Sequence, residues 1–126
     1  MVKEKKTSSN TKEIAVITIN STQNNTLFFV EDELGTFIGK SSAGLVLKKK
    51  RGKRSLASAA QLSSENLALM LLDLGYTKVR IKVKGFGRGR ESALFGFSSS
   101  NLKIKQILDL TPIPHNGCRP KKKRRL

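Results

Sequence analysis

Three stretches near the start of the chain, residues 14–20, 27–31 and 36–42, are rich in β-branched and aromatic side chains. Such side chains suit a pleated, half-buried surface, so the pattern predicts three strands. Glu33-Leu34-Gly35 sets the second apart from the third as a turn signal, which makes those two a hairpin. From residue 56 the period changes. Leu56, Ala60, Ser63, Leu67, Met70 or Leu71, and Leu74 recur at helical spacing, with Ser55 placed to act as N-cap and Gly75 as a left-handed C′ residue. One long amphipathic helix is predicted. Val79, Ile81 and Val83 then alternate with Lys78, Arg80, Lys82 and Lys84, a period of two that predicts a fourth strand with a basic outer row. A glycine-rich turn at 85–89, a short helix at 90–99 and a fifth strand with Leu102, Ile104, Leu108 and Leu110 as its inward row follow. Pro112 ends the series, because proline cannot donate to a ladder.

The predicted order is three strands, helix, strand, helix, strand. Strands joined through a helix run parallel by right-handed crossovers, and the hairpin is antiparallel. The expected fold class is therefore α/β, a mixed five-stranded sheet with helices packed on it. A chain of 126 residues is the size of one domain. The pattern divides it into a polar N-terminal extension (1–12), a single α/β domain (13–110) and an extended basic arm (111–126). Pro112, Pro114 and Pro120 hold the arm's backbone extended and remove amide donors, so it cannot collapse into helix or sheet.

Charge changes this picture. The 25 Lys and Arg against nine Asp and Glu give a formal charge of +16, a self-repulsion beyond what solubility requires, and imply a polyanionic partner. Eighteen of the 25 fall in three foci: Lys48, Lys49, Lys50, Arg51, Lys53 and Arg54; Lys78 to Arg90; and Arg119, Lys121, Lys122, Lys123, Arg124 and Arg125. One charge run is ordinarily a solvated face. Three in one small domain match a nucleic-acid footprint, because every phosphate neutralised releases counterions and the gain grows with the number of contacts.

Other chemistries fit poorly. The lone Cys118 excludes an internal disulfide and a cysteine-based zinc finger. Residues 1–12 contain no apolar core of a signal peptide and residues 67–72, the longest apolar run, are too few to cross a bilayer, so neither a signal peptide nor a membrane partner is expected. Lysines and Glu4 there also fit a cleavable mitochondrial presequence poorly. Gly85-Phe86-Gly87-Arg88-Gly89-Arg90-Glu91 lies between a strand and a helix, where phosphate-binding loops sit. It has Arg90 where the dinucleotide fingerprint requires glycine, and it lacks the Lys-Ser/Thr of a P-loop, so no cofactor is expected. An RNA phosphate beside Arg88 and Arg90 is the better ligand, and a tight strand-to-helix connection explains part of the same motif. Two-metal nucleases need carboxylates that converge from the first strand, and residues 14–20 contain none. His115 and Cys118 supply at most two of the four ligands zinc usually takes. No metal, no small-molecule substrate and no enzyme activity are expected.

Asn24-Asn25-Thr26 after the first strand, Ser42-Ala43-Gly44 after the third, Ala59-Ala60-Gln61 in the long helix, Gly85-x-Gly87-x-Gly89-Arg90-Glu91-Ser92-Ala93, and the run from Asp109 to Pro120 with its basic end carry a specific signal. Together they closely resemble the bacterial-type small-subunit ribosomal protein eleven (S-eleven) family over about residues 14–126. The resemblance implies an RNase-H-like domain without nuclease activity, lodged in the platform of the small ribosomal subunit near the messenger exit path. It implies small-subunit ribosomal RNA as partner, with neighbouring platform proteins of the S-six and S-eighteen region and messenger RNA nearby. The expected RNA-binding residues are Asn24, Asn25, Arg88, Arg90, His115 and Asn116, together with the cations of residues 48–54 and 119–125 named above. The family's isoaspartate site falls on Asn116-Gly117. There the Gly117 nitrogen can attack the Asn116 side-chain carbonyl, expel ammonia and close a succinimide that reopens mainly as isoaspartate.

The chain also departs from the family pattern. It carries a denser Lys/Arg block and Ser55-Leu56-Ala57-Ser58 before the long helix, where the family has Thr-Pro-Phe, and Phe86 where proline is common. This drift, with abundant Ile, Lys, Asn and Phe, points to an organelle-encoded chain, mitochondrial first, with bacterial cytoplasm or a plastid as alternatives. A non-ribosomal RNA chaperone or regulator would share the charge, but it has no reason for so elaborate a Pro-His-Asn-Gly-Cys-Arg-Pro arm.

Overall fold

The computed structural model describes residues 14–46 and 57–126. In chain order the elements are β1 (Ile14–Ser21), β2 (Thr26–Asp32), β3 (Phe37–Ser42), α1 (Ala43–Val46), α2 (Ala57–Asp73), β4 (Lys78–Lys84), α3 (Gly89–Ser99) and β5 (Lys103–Asp109). The five strands form one sheet in the order β3-β2-β1-β4-β5. β1 and β2, and β2 and β3, pair antiparallel, while β1 with β4 and β4 with β5 pair parallel, so the mixed α/β sheet expected from the helix-linked strands is present.

Register sorts the side chains onto two faces. Ile17 aligns with Val30 and Ile81, and Ile19 with Phe28 and Val83; all of these are buried, with Ala15 and Val79 beside them. They meet Ala60, Leu67, Ala68 and Leu71 of α2 and Ala93 and Phe97 of α3. The Phe97 ring stands edge-on to Phe28, with centroids 5.9 Å apart. The helices approach closely because the contact is built from small residues: a Cβ on Gly96 would overlap the Ser64 hydroxyl. That hydroxyl donates back to the Gln61 carbonyl at 2.7 Å, and Ser63 and Ser41 share a hydrogen bond at 2.8 Å, so these buried hydroxyls are satisfied. Gly75 closes α2 as predicted: at φ +94° it lets its own amide reach Leu72 and the Tyr76 amide reach Leu71, the two bonds of a Schellman motif.

The structure differs from the sequence expectation in three places. In β5 the pairing passes from Val79 with Ile104 to Arg80 with Gln106, so Lys105 is a bulge. The extra residue reverses the register parity beyond it: Ile107 aligns with Ile81 yet stays exposed at this edge strand, and Leu108 aligns with Lys82 on the other face and is half-buried. Leu102 and Ile104 keep their inward place, but Leu110 is exposed. β3, the opposite edge, is bulged too, and bulges at both edges discourage pairing with another chain. In α2, Leu74 is exposed beyond the last turn rather than inward, and the predicted Ser55 cap and Leu56 lie outside the described residues. The short α1 was not legible, since Gly44 opposes helix. It forms because the Ser42 hydroxyl accepts the Leu45 amide at 3.1 Å as a cap.

Candidate nucleic-acid interface

β1, β3, β4 and β5 all run in the same direction, so the connections that follow them leave the sheet at one edge. This carboxyl edge is where open α/β sheets gather their ligand-binding loops. It collects residues 22–25, the start of α1, the glycine turn after β4 and the root of the arm. Asn25 ties two of these together: its side-chain carbonyl accepts the Thr26 amide at 2.9 Å and the Gly44 amide at 3.2 Å. Asn24, next to it, is exposed.

The glycine turn is built against β1. Gly85 sits at φ +89° with a Cβ position that would overlap the Ser21 carbonyl oxygen, and Gly87 donates to that same oxygen at 3.2 Å. The root of the arm is bound to this turn. Thr111 Oγ1 accepts the Gly85 amide at 3.2 Å and donates to Asp109 Oδ1 at 2.7 Å; the Thr111 amide donates to the same oxygen at 3.1 Å. Arg90 Nη2 donates to Asp109 Oδ2 at 2.7 Å, and Nη1 to the Gly85 carbonyl at 3.2 Å. One arginine, one carboxylate and one threonine thus fasten β5, the turn and α3 where the arm begins.

These donors hold the Asp109 carboxyl at about 2, below its ordinary 3.8, with the Thr111 hydroxyl the largest cause, followed by the Arg90 hydrogen bond and the Thr111 amide. A carboxyl whose pKa falls on folding stabilises the folded state fully above its ordinary value and loses that contribution as pH drops through the folded value. The fastening is therefore complete at neutral pH, its contribution to folding stability is lost between about pH 4 and pH 2, and in the folded chain it opens as the carboxyl protonates near 2. The Thr111 amide resonance, followed by NMR, is expected to titrate near 2 in the wild-type chain and to lose this transition in D109N. A midpoint near 3.8 would show that the carboxylate is not held by these donors.

Two open clefts flank the turn. One, of about 490 Å³, is lined by Gln23, Asn24, Phe86, Gly87 and Arg88. The other, of about 460 Å³, shares Phe86, Gly87 and Arg88 and adds Arg90 and Glu91. Arg88 is exposed and makes no hydrogen bond or ion pair among the described residues, whereas Arg90 is committed to Asp109 and Gly85. Of the two arginines expected to bind phosphate, Arg88 has an exposed side chain and Arg90, partly exposed at the second cleft, also holds the root of the arm.

The arm carries no helix or strand after β5, and Pro112 to Leu126 are exposed, His115, Cys118, Arg119, Lys121, Lys122, Lys123, Arg124 and Arg125 included. Asn116 has φ +56°, a left-handed conformation that asparagine tolerates. Lys48, Lys49, Lys50, Arg51, Lys53 and Arg54 lie outside the described residues.

A further basic surface was only partly visible in the sequence. On the sheet face away from the helices, register rows run Lys40-Phe29-Thr18-Lys82-Leu108 and Phe37-Glu31-Val16-Arg80-Gln106, with Lys84 and Lys78 at the ends of β4. Phe29 and Phe37 are exposed. The basic row of β4 was readable from its alternation. Its extension to Lys40 depends on pairing across three other strands. In β2 the run Leu27-Phe28-Phe29-Val30 reads as apolar on both faces, which hides the fact that one face is open.

These features together describe a small α/β protein that concentrates loops and cations at one sheet edge and projects a basic arm from it. Among the described residues, no three His, Cys, Asp or Glu side chains cluster as metal ligands, and no helix is long and apolar enough to cross a membrane. Residues 15–125 match the family model of ribosomal protein S11, and the chain belongs to that family. It is a structural protein of the small ribosomal subunit, not an enzyme, and its family implies ribosomal RNA and ribosomal proteins as partners.

Proposed function

We propose that the chain binds small-subunit ribosomal RNA in the platform, near the messenger exit path, and supports subunit assembly. The observation that carries this reading is the convergence of Asn24, Arg88 and the fastened root of the arm on one carboxyl edge. Exposed cations on such an edge engage the phosphate backbone, which positions a protein on RNA, while amides reach bases. Arg88 contacts phosphate, Arg90 sets the direction of the arm, and His115, Asn116, Arg119 and the cations that follow track the backbone. Asn25 supports the loop that presents Asn24. The Lys48 to Arg54 segment adds phosphate contacts, and the open sheet face with Lys40, Arg80 and Lys82 extends the basic surface. The functional units are the extension 1–12, the RNA-binding domain 13–110 and the arm 111–126, with platform proteins of the S-six and S-eighteen region beside them.

The composition and the departures at residues 45–58 and at Phe86 favour an organellar ribosome, in mitochondria. The test is sedimentation of the native protein from fractionated organelles and cytoplasm. Co-migration with mitochondrial small subunits is expected, and protein at the top of the gradient, away from any subunit, would overturn the ribosomal assignment. The same particles test modification of the Asn116-Gly117 step: the peptide that spans it is expected to accept a methyl group from isoaspartyl methyltransferase, and an unmethylated peptide of unshifted mass ends that part of the proposal.

A further inference from the structure

We propose that Phe86 is a stacking platform for one unpaired RNA base, with the Gln23 and Asn24 amides at the polar edge of that base and Arg88 at its phosphate. This rests on the RNA-binding reading above and specifies its ligand at the glycine turn: a single-stranded nucleotide, not duplex backbone.

Phe86 is 76% exposed, although its turn needs no phenyl ring. Gly85 and Gly87 supply the backbone geometry, and the ring contributes nothing to the buried core. The backbone that carries the ring is held on both sides. The Gly85 amide and carbonyl are bonded to Thr111 and Arg90, and the Gly87 amide is bonded to Ser21. The Arg90 guanidinium lies 5.7 Å from the ring centroid and is itself fixed by Asp109, a cation–π contact that orients the ring. An aromatic surface held this way loses little conformational freedom on binding.

The cleft beside the ring matches a nucleotide better than a protein side chain. Its volume of about 490 Å³ lies within the range of small-ligand sites, and Phe86 is the one apolar side chain among its five lining residues. A base presents a π-face to the phenylalanine, hydrogen-bonding groups to the two amides and a phosphate to Arg88. An apolar protein anchor would meet three polar side chains instead. Paired bases in an A-form duplex have no free face to offer, which restricts the site to single strands, bulges and loops. Stacking on an aromatic ring is tolerant of base identity, so any selectivity comes from the amides.

The test compares full-length wild type, F86L and F86W for binding to three RNAs: a hexaadenylate strand, an abasic strand of equal length and a blunt duplex. Wild type is expected to prefer hexaadenylate over the abasic strand. F86L should lose on the order of tenfold in affinity for hexaadenylate, with affinity for the abasic strand and the duplex unchanged. The chain contains no other tryptophan, so emission from F86W reports this position alone. It should be quenched by hexaadenylate and little changed by the abasic strand or the duplex. If all three RNAs bind and F86L matches wild type on each, the stacking proposal falls while RNA binding stands. The same result with F86L lost from assembled subunits assigns the ring to a protein neighbour and equally overturns the proposal. A wild-type chain that binds none of the three defeats the RNA-binding reading itself.

Discussion

Truncation after Pro114 is expected to lower the slope of log affinity against log salt by ~4 to 5, since each of the six cations at 119–125 that neutralises a phosphate contributes about 0.7 to 0.9. Between 50 and 200 mM salt this corresponds to roughly 250- to 1,000-fold less weakening for the truncated chain than for the complete one. The fold should not change. Every residue from Pro112 onward is exposed, and the fastening through Asp109, Thr111 and Arg90, with the Leu110 amide on the Val83 carbonyl, lies on the retained side of the cut. Filter binding to a small-subunit RNA fragment across a salt series measures the slope. Identical slopes for the two chains would show that the arm is not on phosphates. The arm's direction is a separate matter: it leaves the domain from a point held by five hydrogen bonds, so its first residues are aimed while its end is free to follow the RNA.

G85A is expected to cost about 3 kcal/mol of folding stability, a large fraction of the roughly 5–15 kcal/mol that holds a domain of this kind. Two effects combine. At φ +89° a side chain is strained whatever surrounds it, by about 1–2 kcal/mol. The new Cβ also overlaps the Ser21 carbonyl oxygen, a backbone atom of the central strand that no rotamer change can move aside, and overpacking of this kind costs about 1–3 kcal/mol. G35A isolates the first effect, because Gly35 has φ +82° and nothing within 4 Å of its Cβ position. Denaturant midpoints should therefore fall in the order wild type, G35A, G85A, and equal losses for the two variants would remove the Ser21 contact as the cause. RNA binding at the edge should decline with G85A, since this turn carries Phe86 and Arg88 and receives the arm's root.

Local patterns were legible because their causes are local. Val79, Ile81 and Val83 alternate with cations and are buried as that alternation predicts. The helical period ran to Gly75, whose left-handed conformation ends α2, and three prolines kept the arm out of regular structure. Charge counting alone found the foci, because composition does not depend on folding. The phase of β5 was not legible: one extra residue at an edge strand reverses the register parity beyond it, and no periodicity announces where a bulge falls.

Residue type and short-range spacing were thus enough for the class of fold, the clusters of positive charge and the motifs that mark the family. Which of those side chains are tied to neighbours and which stand exposed depends on contacts between distant segments. Arg88 and Arg90 are alike in sequence, yet a carboxylate nineteen residues further on takes Arg90 and leaves Arg88 exposed. Asn24 and Asn25 are neighbours, yet Asn25 turns inward because Gly44, brought close by strand pairing, needs an acceptor for its amide. Asn24, Phe86 and the arm come together for the same reason: strands that run in one direction deliver their connections to one edge. That pairing is fixed by hydrogen bonds between segments far apart in the chain, which no local pattern encodes.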